Sequence, residues 1–309
     1  MSASPQTTFG GRTTAEEVLA GIKLQGQTII VTGANTGIGE AAAQALAGTG
    51  AHIIFACRDV AAGRAAVERT KAVYPRASAD VSELDLASFT STQAFVARLD
   101  TPRVDTLICN AGLSLTRYAA TAEGFERTVG ISHIGHLLLT RLMMHKLLAA
   151  SAPRLVMVSS HSHRMPKTLD FNRFPMTPQN FNGLVAYGQA KLCNIFMARS
   201  LQKRYGDRGL MACALHPGTL ITTEIGRHSG FVNGLIQLIR PFTKSRSQGA
   251  ATTVWAATHQ PAADLAAQYL SDCKVVESSA EARDAAIAER VWVLSNQWLE
   301  QKVDLSPWP

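Results

Sequence analysis

The sequence predicts an α/β fold, with one doubly wound parallel sheet of about seven strands and helices on both faces. Three observations predict it. Short apolar runs alternate with helical patterns along most of the 309 residues, and strand–helix–strand order closes a parallel sheet through right-handed crossovers. A glycine-rich turn, Gly33-Ala34-Asn35-Thr36-Gly37-Ile38-Gly39, joins the first apolar strand to a helix, the junction where such a sheet binds phosphate. The composition, 46% hydrophobic and 17% charged, suits a chain that buries a core and not a disordered one.

The elements follow in order. Residues 1–12 read as a frayed stretch, and 1–24 as an N-terminal arm. Thr13-x-x-Glu16 and Thr14-x-x-Glu17 are capping-box patterns that open a short helix ending near Gly21. Buried strands are expected at Thr28–Thr32, His52–Ala56, Ala79–Leu86, Val104–Cys109, Arg154–Ser159 and Leu210–Leu215, with a short seventh at Gln268–Ser271. Helices are expected over the Ala-rich Gly39–Gly48, then Val60–Val73, Ser88–Arg98, within Glu123–Ala149, and over Val185–Arg204. An amphipathic helix, Ala280–Gln301, closes the 25–302 domain, and 303–309 form a tail. Two stretches break the alternation. His161–Ala186 contains Pro166, Pro175 and Pro178 and reads as a long loop at a strand's carboxyl end, where the mouth of a site forms. Residues 221–245 are apolar but interrupted by Gly226, Gly230, Gly234 and Pro241. They read as a substrate flap over that mouth, or equally as a packed helical hairpin.

Charge and cysteine usage narrow the function classes. The net charge of +7 comes from 30 Lys and Arg spread without a basic run, so nucleic acid is not expected as a partner. No apolar run approaches the ~18 residues of a transmembrane span, and Met1–Gln6 carry no basic-then-apolar secretory pattern. Five scattered cysteines without a CxxC pair point to a reducing compartment, hence a cytoplasmic protein. His133/His136 and His161/His163 lack an acid or Cys at metal-ligand spacing, so no metal is expected. Cys109, Cys193, Trp292 and Trp298 read as packing residues.

The glycine loop has a physical reading at each position. Gly33 permits the tight turn, Gly37 lets backbone approach a pyrophosphate, and Gly39 permits close helix packing. Asn35, Thr36 and Ile38 complete the loop, and Gly37-x-Gly39-x-x-Ala42 matches a dinucleotide fingerprint of Rossmann type. The second strand ends in Cys57-Arg58. NAD-binding sites place an acid there for the ribose 2′-OH, whereas a neutral residue followed by a guanidinium favours the 2′-phosphate of NADP(H). Asp85 and Leu86 close the third strand. Asp85 can accept from an adenine amino group or cap the next helix.

Tyr187-Gly188-Gln189-Ala190-Lys191 puts a phenol and an ammonium one helical turn apart on the same face. A neighbouring cation favours the phenolate, so this Tyr can exchange a proton nearer neutrality than its usual ~10. Ser160, after the fifth strand, can present a hydroxyl to the same substrate oxygen.

Thr32-Gly33-x-x-x-Gly37-x-Gly39, Asn110-Ala111-Gly112, Ser160, Tyr187-x-x-x-Lys191 and Pro217-Gly218 together resemble the short-chain dehydrogenase/reductase family. Phe55-Ala56-Cys57-Arg58 and Tyr187 through Asn194 are similar to its retinol-dehydrogenase-like group. Ser159 through Arg164, Lys191 through Ile195, and Arg240 through Thr253 resemble members that also carry WW modules. A WW module needs two spaced Trp; Trp255, Trp292, Trp298 and Trp308 all lie late in the chain, so WW-type peptide binding is not expected.

The resemblance implies roles. Tyr187 is the general acid/base, Lys191 binds the nicotinamide ribose and lowers the Tyr187 pKa, and Ser160 polarises the carbonyl. Asn110, Ala111 and Gly112 line the adenosine side, and Pro217, Gly218 and Thr219 flank the nicotinamide. The family's helical Asn, which supports a proton relay, is replaced here by Ser132 in Ser132-His133-Ile134-Gly135-His136. The implied activity is NADP(H)-dependent hydride transfer to or from a lipophilic alcohol or carbonyl, such as a retinoid or steroid. Ser132 keeps a second reading open, a cofactor-binding regulatory or scaffold protein with little turnover. The resemblance also allows a homodimer through the Tyr187 helix and the helix before it.

Overall fold

Strand β1 (Thr28–Thr32) pairs in parallel with β2 (His52–Cys57) on one side and β4 (Thr106–Cys109) on the other. Its side chains alternate between two cores: Ile30 enters one, Ile29 and Val31 the other, and all three have no exposed surface. That two-sided burial is why the strand is continuously apolar, each such side chain contributing roughly 1.5–3 kcal/mol. The computed structural model describes residues 9–166, 168–218 and 244–309.

The described strands form one eight-stranded sheet in the order β3-β2-β1-β4-β5-β6-β7-β8. Here β3 is Ser78–Glu83, β5 Arg154–Val158, β6 Met211–His216, β7 Tyr269–Ser271 and β8 Lys274–Val276. All neighbours are parallel except β7 and β8. The chain runs outward from β1 to β3, then returns to β4 and runs the other way. Such a reversal opens a crevice at the carboxyl ends of β1 and β4.

The helices are α1 (Ala15–Val18), α2 (Gly37–Ala47), α3 (Val60–Val73), α4 (Phe89–Arg98), α5 (Arg127–Val129), α6 (His136–Leu148), α7 (Gly183–Tyr205), α8 (Arg246–Thr258) and α9 (Ala285–Glu300). Thr14 and Glu17 form the expected capping box of α1. The arm is pinned to α8, where Ala15 N donates to Ser247 Oγ at 3.0 Å and Gln248 Nε2 donates to Arg12 O at 2.9 Å.

Several boundaries differ from expectation. The long helix within Glu123–Ala149 is interrupted by a π-helical turn, Gly130–Gly135, which holds Ser132. The last helix starts at Ala285, because Asp284 caps it by accepting from Ala286 N and Ile287 N. β3 stops at Glu83, leaving Asp85 and Leu86 beyond the strand. The eighth strand was not expected: its three residues are all exposed and too few to show a pattern. The expected flap falls almost wholly on 219–243, outside the described residues.

α9 lies over the π turn, α6 and α7. The His133 ring nitrogen Nε2 meets Ser295 Oγ at 2.8 Å, and the Arg204 guanidinium sits 4.4 Å from the Trp292 ring centre. The tail is docked as well. Arg141 of α6 donates to Glu300 Oε1 at 2.8 Å and to Ser306 O at 3.0 Å, and Trp308 Nε1 donates to Asn296 Oδ1 at 2.8 Å. Trp292 and Trp298 pack against the core, as expected. On this side α6 and α7 are covered by the last helix and the tail.

Candidate active site

The carboxyl ends of β1, β2, β4 and β5 border a cleft of about 540 Å³. Gly33 (φ +67°) and Gly37 (φ +65°) adopt the left-handed conformation that their turn needs. A Cβ on Gly39 would lie 2.4 Å from Gly33 O and 2.4 Å from Asn110 Nδ2, so only glycine lets α2 approach this closely. Thr36 makes no side-chain cap bond, which leaves the first-turn N–H groups of α2 for a ligand.

A buried network holds the loop to β4. Asn110 N and Ala111 N each donate to Thr32 Oγ1 at 2.9 Å, and Asn110 Nδ2 donates to Thr32 O at 2.8 Å. His136 completes it: Nδ1 lies 3.0 Å from Ser132 O and Nε2 lies 2.9 Å from Thr32 Oγ1. A carbonyl only accepts, so Nδ1 carries the proton and Nε2 accepts from Thr32. Burial pushes the imidazole down to about 4, keeping it neutral. His136 is thus a latch, and no cluster that could hold a metal occurs among the described residues.

At the second strand's end, Cys57 Sγ donates to Asp59 O at 3.4 Å, and burial pushes the thiol up to about 11. Gly63 makes room for it, since a Cβ there would lie 2.5 Å from Cys57 Sγ. Arg58 is exposed, lines the cleft and forms no ion pair among the described residues. Asp85 also lines the cleft, but it does not cap α4. Ser88 is the cap, accepting from Ser91 N, and Asp85 Oδ1 accepts from Ala87 N at 2.9 Å in a local turn.

At the other end, α7 brings Tyr187 and Lys191 to the cleft wall, its start fixed by Asn182 accepting from Leu184 N and Val185 N. Lys191 is 3% exposed and its Nζ donates to Val158 O at 3.0 Å. Burial lowers its pKa to about 8. Its Nζ stands 5.6 Å from the Tyr187 ring centre. Burial raises the Tyr187 pKa, and a hydrogen bond with the Ser160 hydroxyl opposes that rise.

Ser160 stands beside Tyr187 but does not line the cleft; Ser159 does, and its Oγ donates to Lys191 O at 2.6 Å. The turn after Ser160 presses on α7, where a Cβ on Gly188 would lie 2.8 Å from Ser162 O. Ser132 lies behind Gly112: its buried Oγ has no hydrogen-bond partner among the described residues, and a Cβ on Gly112 would lie 3.2 Å from it and 3.0 Å from Lys191 Nζ.

The glycine-loop residues Gly33, Asn35, Thr36, Gly37, Ile38 and Gly39 all line the cleft, as do Leu86, Asn110, Ala111, Gly112 and Pro217. Gly218 does not. Its φ is +120°, and a Cβ there would lie 2.7 Å from the Lys244 side chain. Thr219 is outside the described residues. Sequence reasoning missed Leu113, Ser114 and Ile131 in the wall, of which Leu113 and Ile131 add an apolar flank. Their only signal was adjacency to Asn110-Ala111-Gly112 and to Ser132. No described helix is long and apolar enough to cross a membrane.

A family model for short chain dehydrogenases matches residues 27–172. The WW domain-containing oxidoreductase of Gallus gallus is 36% identical over 303 residues, spanning 96% of this chain and 73% of that protein. Retinol dehydrogenase 12 of Mus musculus is 37% identical over 280 residues, spanning 90% of this chain and 88% of its own. A crystal structure of an uncharacterised protein from Mycobacterium paratuberculosis superposes with a TM-score of 0.72 at 29% identity, covering 93% of this chain and 97% of that one. The order of the sheet, the glycine loop at its switch point and these likenesses agree: the chain belongs to the short-chain dehydrogenase/reductase family, in its retinol-dehydrogenase-like group.

Proposed function

We propose that the protein is an NADP(H)-dependent oxidoreductase that interconverts a lipophilic alcohol and its carbonyl compound, with Tyr187 as general acid/base. The observation that carries this reading is one cleft holding a phosphate cradle at one end and the Tyr187–Lys191 pair at the other. The cradle fits a dinucleotide, since Gly33 and Gly37 turn the chain in the left-handed conformation at the cleft and the first-turn N–H groups of α2 carry no side-chain cap. Gly33 through Gly39 and the α2 N-terminus would hold the pyrophosphate, Asp85 and Leu86 would border the adenine, and Pro217 would flank the nicotinamide, with Gly218 and Thr219 beyond it. When bound, the nicotinamide supplies or accepts the hydride. The apolar flank at Leu113 and Ile131, together with the names of the relatives, supports a retinoid-, steroid- or similar hydrophobic substrate.

The chain's own groups handle the proton. In reduction, Tyr187 Oη gives a proton to the substrate oxygen as the carbonyl carbon becomes an alcohol carbon. Ser160 Oγ donates a hydrogen bond to the same oxygen and keeps Tyr187 oriented. Lys191 binds the ribose and stabilises the phenolate left on Tyr187. Ser132 Oγ and Lys191 Nζ border one polar spot beside Gly112, where a water can return the proton. Five free cysteines, all buried, support a reducing, cytoplasmic setting.

NADPH oxidation against a panel of hydrophobic carbonyl compounds tests the reading, and turnover with at least one is expected. Cofactor choice is tested separately. Arg58→Ala should weaken NADPH roughly tenfold or more, as expected for a lost charge-assisted phosphate contact, and leave NADH unchanged. Equal losses for both would show that Arg58 does not read the 2′-phosphate. Ser132→Asn should leave cofactor affinity alone and raise turnover severalfold, since the longer amide reaches both backbone and relay water. No turnover in either the wild type or this variant would move the assignment to a cofactor-binding regulatory protein.

A further inference from the structure

Ser160 caps the turn His161–Arg164, its Oγ accepting from Ser162 N at 3.2 Å and donating to Ser162 Oγ at 3.3 Å, and His163 holds the peptide of the same residue. The Ser160 carbonyl accepts twice from it, from the backbone N at 3.1 Å and from ring Nδ1 at 2.7 Å. The opposite ring nitrogen, Nε2, accepts from Ser279 N at 3.1 Å. A backbone N–H only donates, so Nε2 is bare and Nδ1 holds the proton that goes to Ser160 O. The ring has no exposed surface and meets Tyr269 edge-on, with centroids 4.8 Å apart and Tyr269 Oη 3.2 Å from Nδ1. Burial pushes the imidazole down to about 4, so this tautomer holds at neutral pH.

We infer that His163 is a positioning residue for the reaction, a rigid two-ended bridge that aims Ser160 by tying its peptide to Ser279 and Tyr269. The inference rests on the reading of Ser160 given above. Its strength is the division of labour on one ring. Nδ1 faces the Ser160 peptide next to Tyr187, and Nε2 faces a segment 116 residues away. An imidazole offers a donor and an acceptor at fixed separation and direction. Asn reproduces the Nδ1 donor, and Gln reproduces the Nε2 acceptor.

The test is a double-mutant cycle on the full-length protein, with turnover and NADPH affinity read separately. His163→Gln should lower kcat by roughly tenfold or more, the scale of a small misplacement of a reacting group, with NADPH affinity unchanged. His163→Asn, which keeps the donor to Ser160, should recover most of that loss. In a Ser160→Ala background His163→Gln should cost almost nothing further, because both changes remove the same aimed hydroxyl. Full additivity of the two losses, or equal damage from Gln and Asn, overturns the inference and leaves His163 a structural histidine. If Ser160→Ala itself keeps full activity, it is the reading of Ser160 that fails. NADPH binding by each variant shows that it is folded, and a His163→Gln protein that does not bind is replaced in the cycle by Tyr269→Phe, which loosens the same ring.

Discussion

Tyr187→Phe is expected to reduce turnover by about 10²–10⁴-fold, the usual worth of a positioned acid or base, while NADPH affinity stays within twofold of wild type. The variant keeps the ring and removes only the transferable proton. Its neighbour does not depend on the phenol, since Lys191 Nζ is held by Val158 O and stands 5.6 Å from the ring centre. The pH profile gives an independent sign. Burial raises the Tyr187 pKa, so the phenol stays protonated at neutrality and is ready to act as an acid. Carbonyl reduction should hold at neutral pH and fall on the alkaline side, first as Lys191 loses its proton at about 8 and then as Tyr187 loses its own, and the Phe variant should lose only the second step. Single-turnover NADPH oxidation and a fluorescence titration measure the two parts. Near-normal turnover would remove Tyr187 from the mechanism.

Gly39→Ala should weaken cofactor binding by roughly 10- to 100-fold, the range implied by an overpacking cost of about 1–3 kcal/mol. The new methyl would lie 2.4 Å from a backbone oxygen of the loop and 2.4 Å from Asn110 Nδ2. Neither neighbour can yield cheaply. Gly33 O belongs to the phosphate turn, and Asn110 Nδ2 is bonded to Thr32 O. Gly10→Ala is the control, because a Cβ there meets nothing within 4 Å among the described residues. Titration of both variants with NADPH, alongside far-UV circular dichroism, separates a lost site from a lost fold. Unchanged affinity in Gly39→Ala would mean that the loop does not hold the pyrophosphate.

Both expectations begin in residues that the sequence made readable, for a physical reason. A strand buried on two faces has to be apolar throughout, so β1, β4 and β5 announce themselves, and the glycines after β1 are dictated by backbone conformation. What stayed hidden depends on distance or on register. A π turn adds a residue to a helix without changing its composition, so nothing in Gly130–Gly135 marks it. Asp85 and Ser88 both had the chemistry to cap α4, and only the geometry chose Ser88. The three exposed residues of β8 carry no alternation. His163 could be counted but not understood, because its second partner is Ser279.

The placement of α9 and of the segment before it bears on how the protein is made. Ser279 and Tyr269 hold the turn that carries Ser160, and Ser295 holds the ring next to Ser132. These supports lie downstream of the site residues, so the glycine loop and Tyr187 are translated before them. Folding during synthesis proceeds from the N-terminal side, so the cradle at Gly33–Gly39 can form on a nascent chain before the reacting end is braced. A polypeptide arrested ahead of Tyr269 therefore carries Ser160, Tyr187 and Lys191 without the contacts that aim them, and the site is braced only once the segment from Tyr269 to Ser295 has been made.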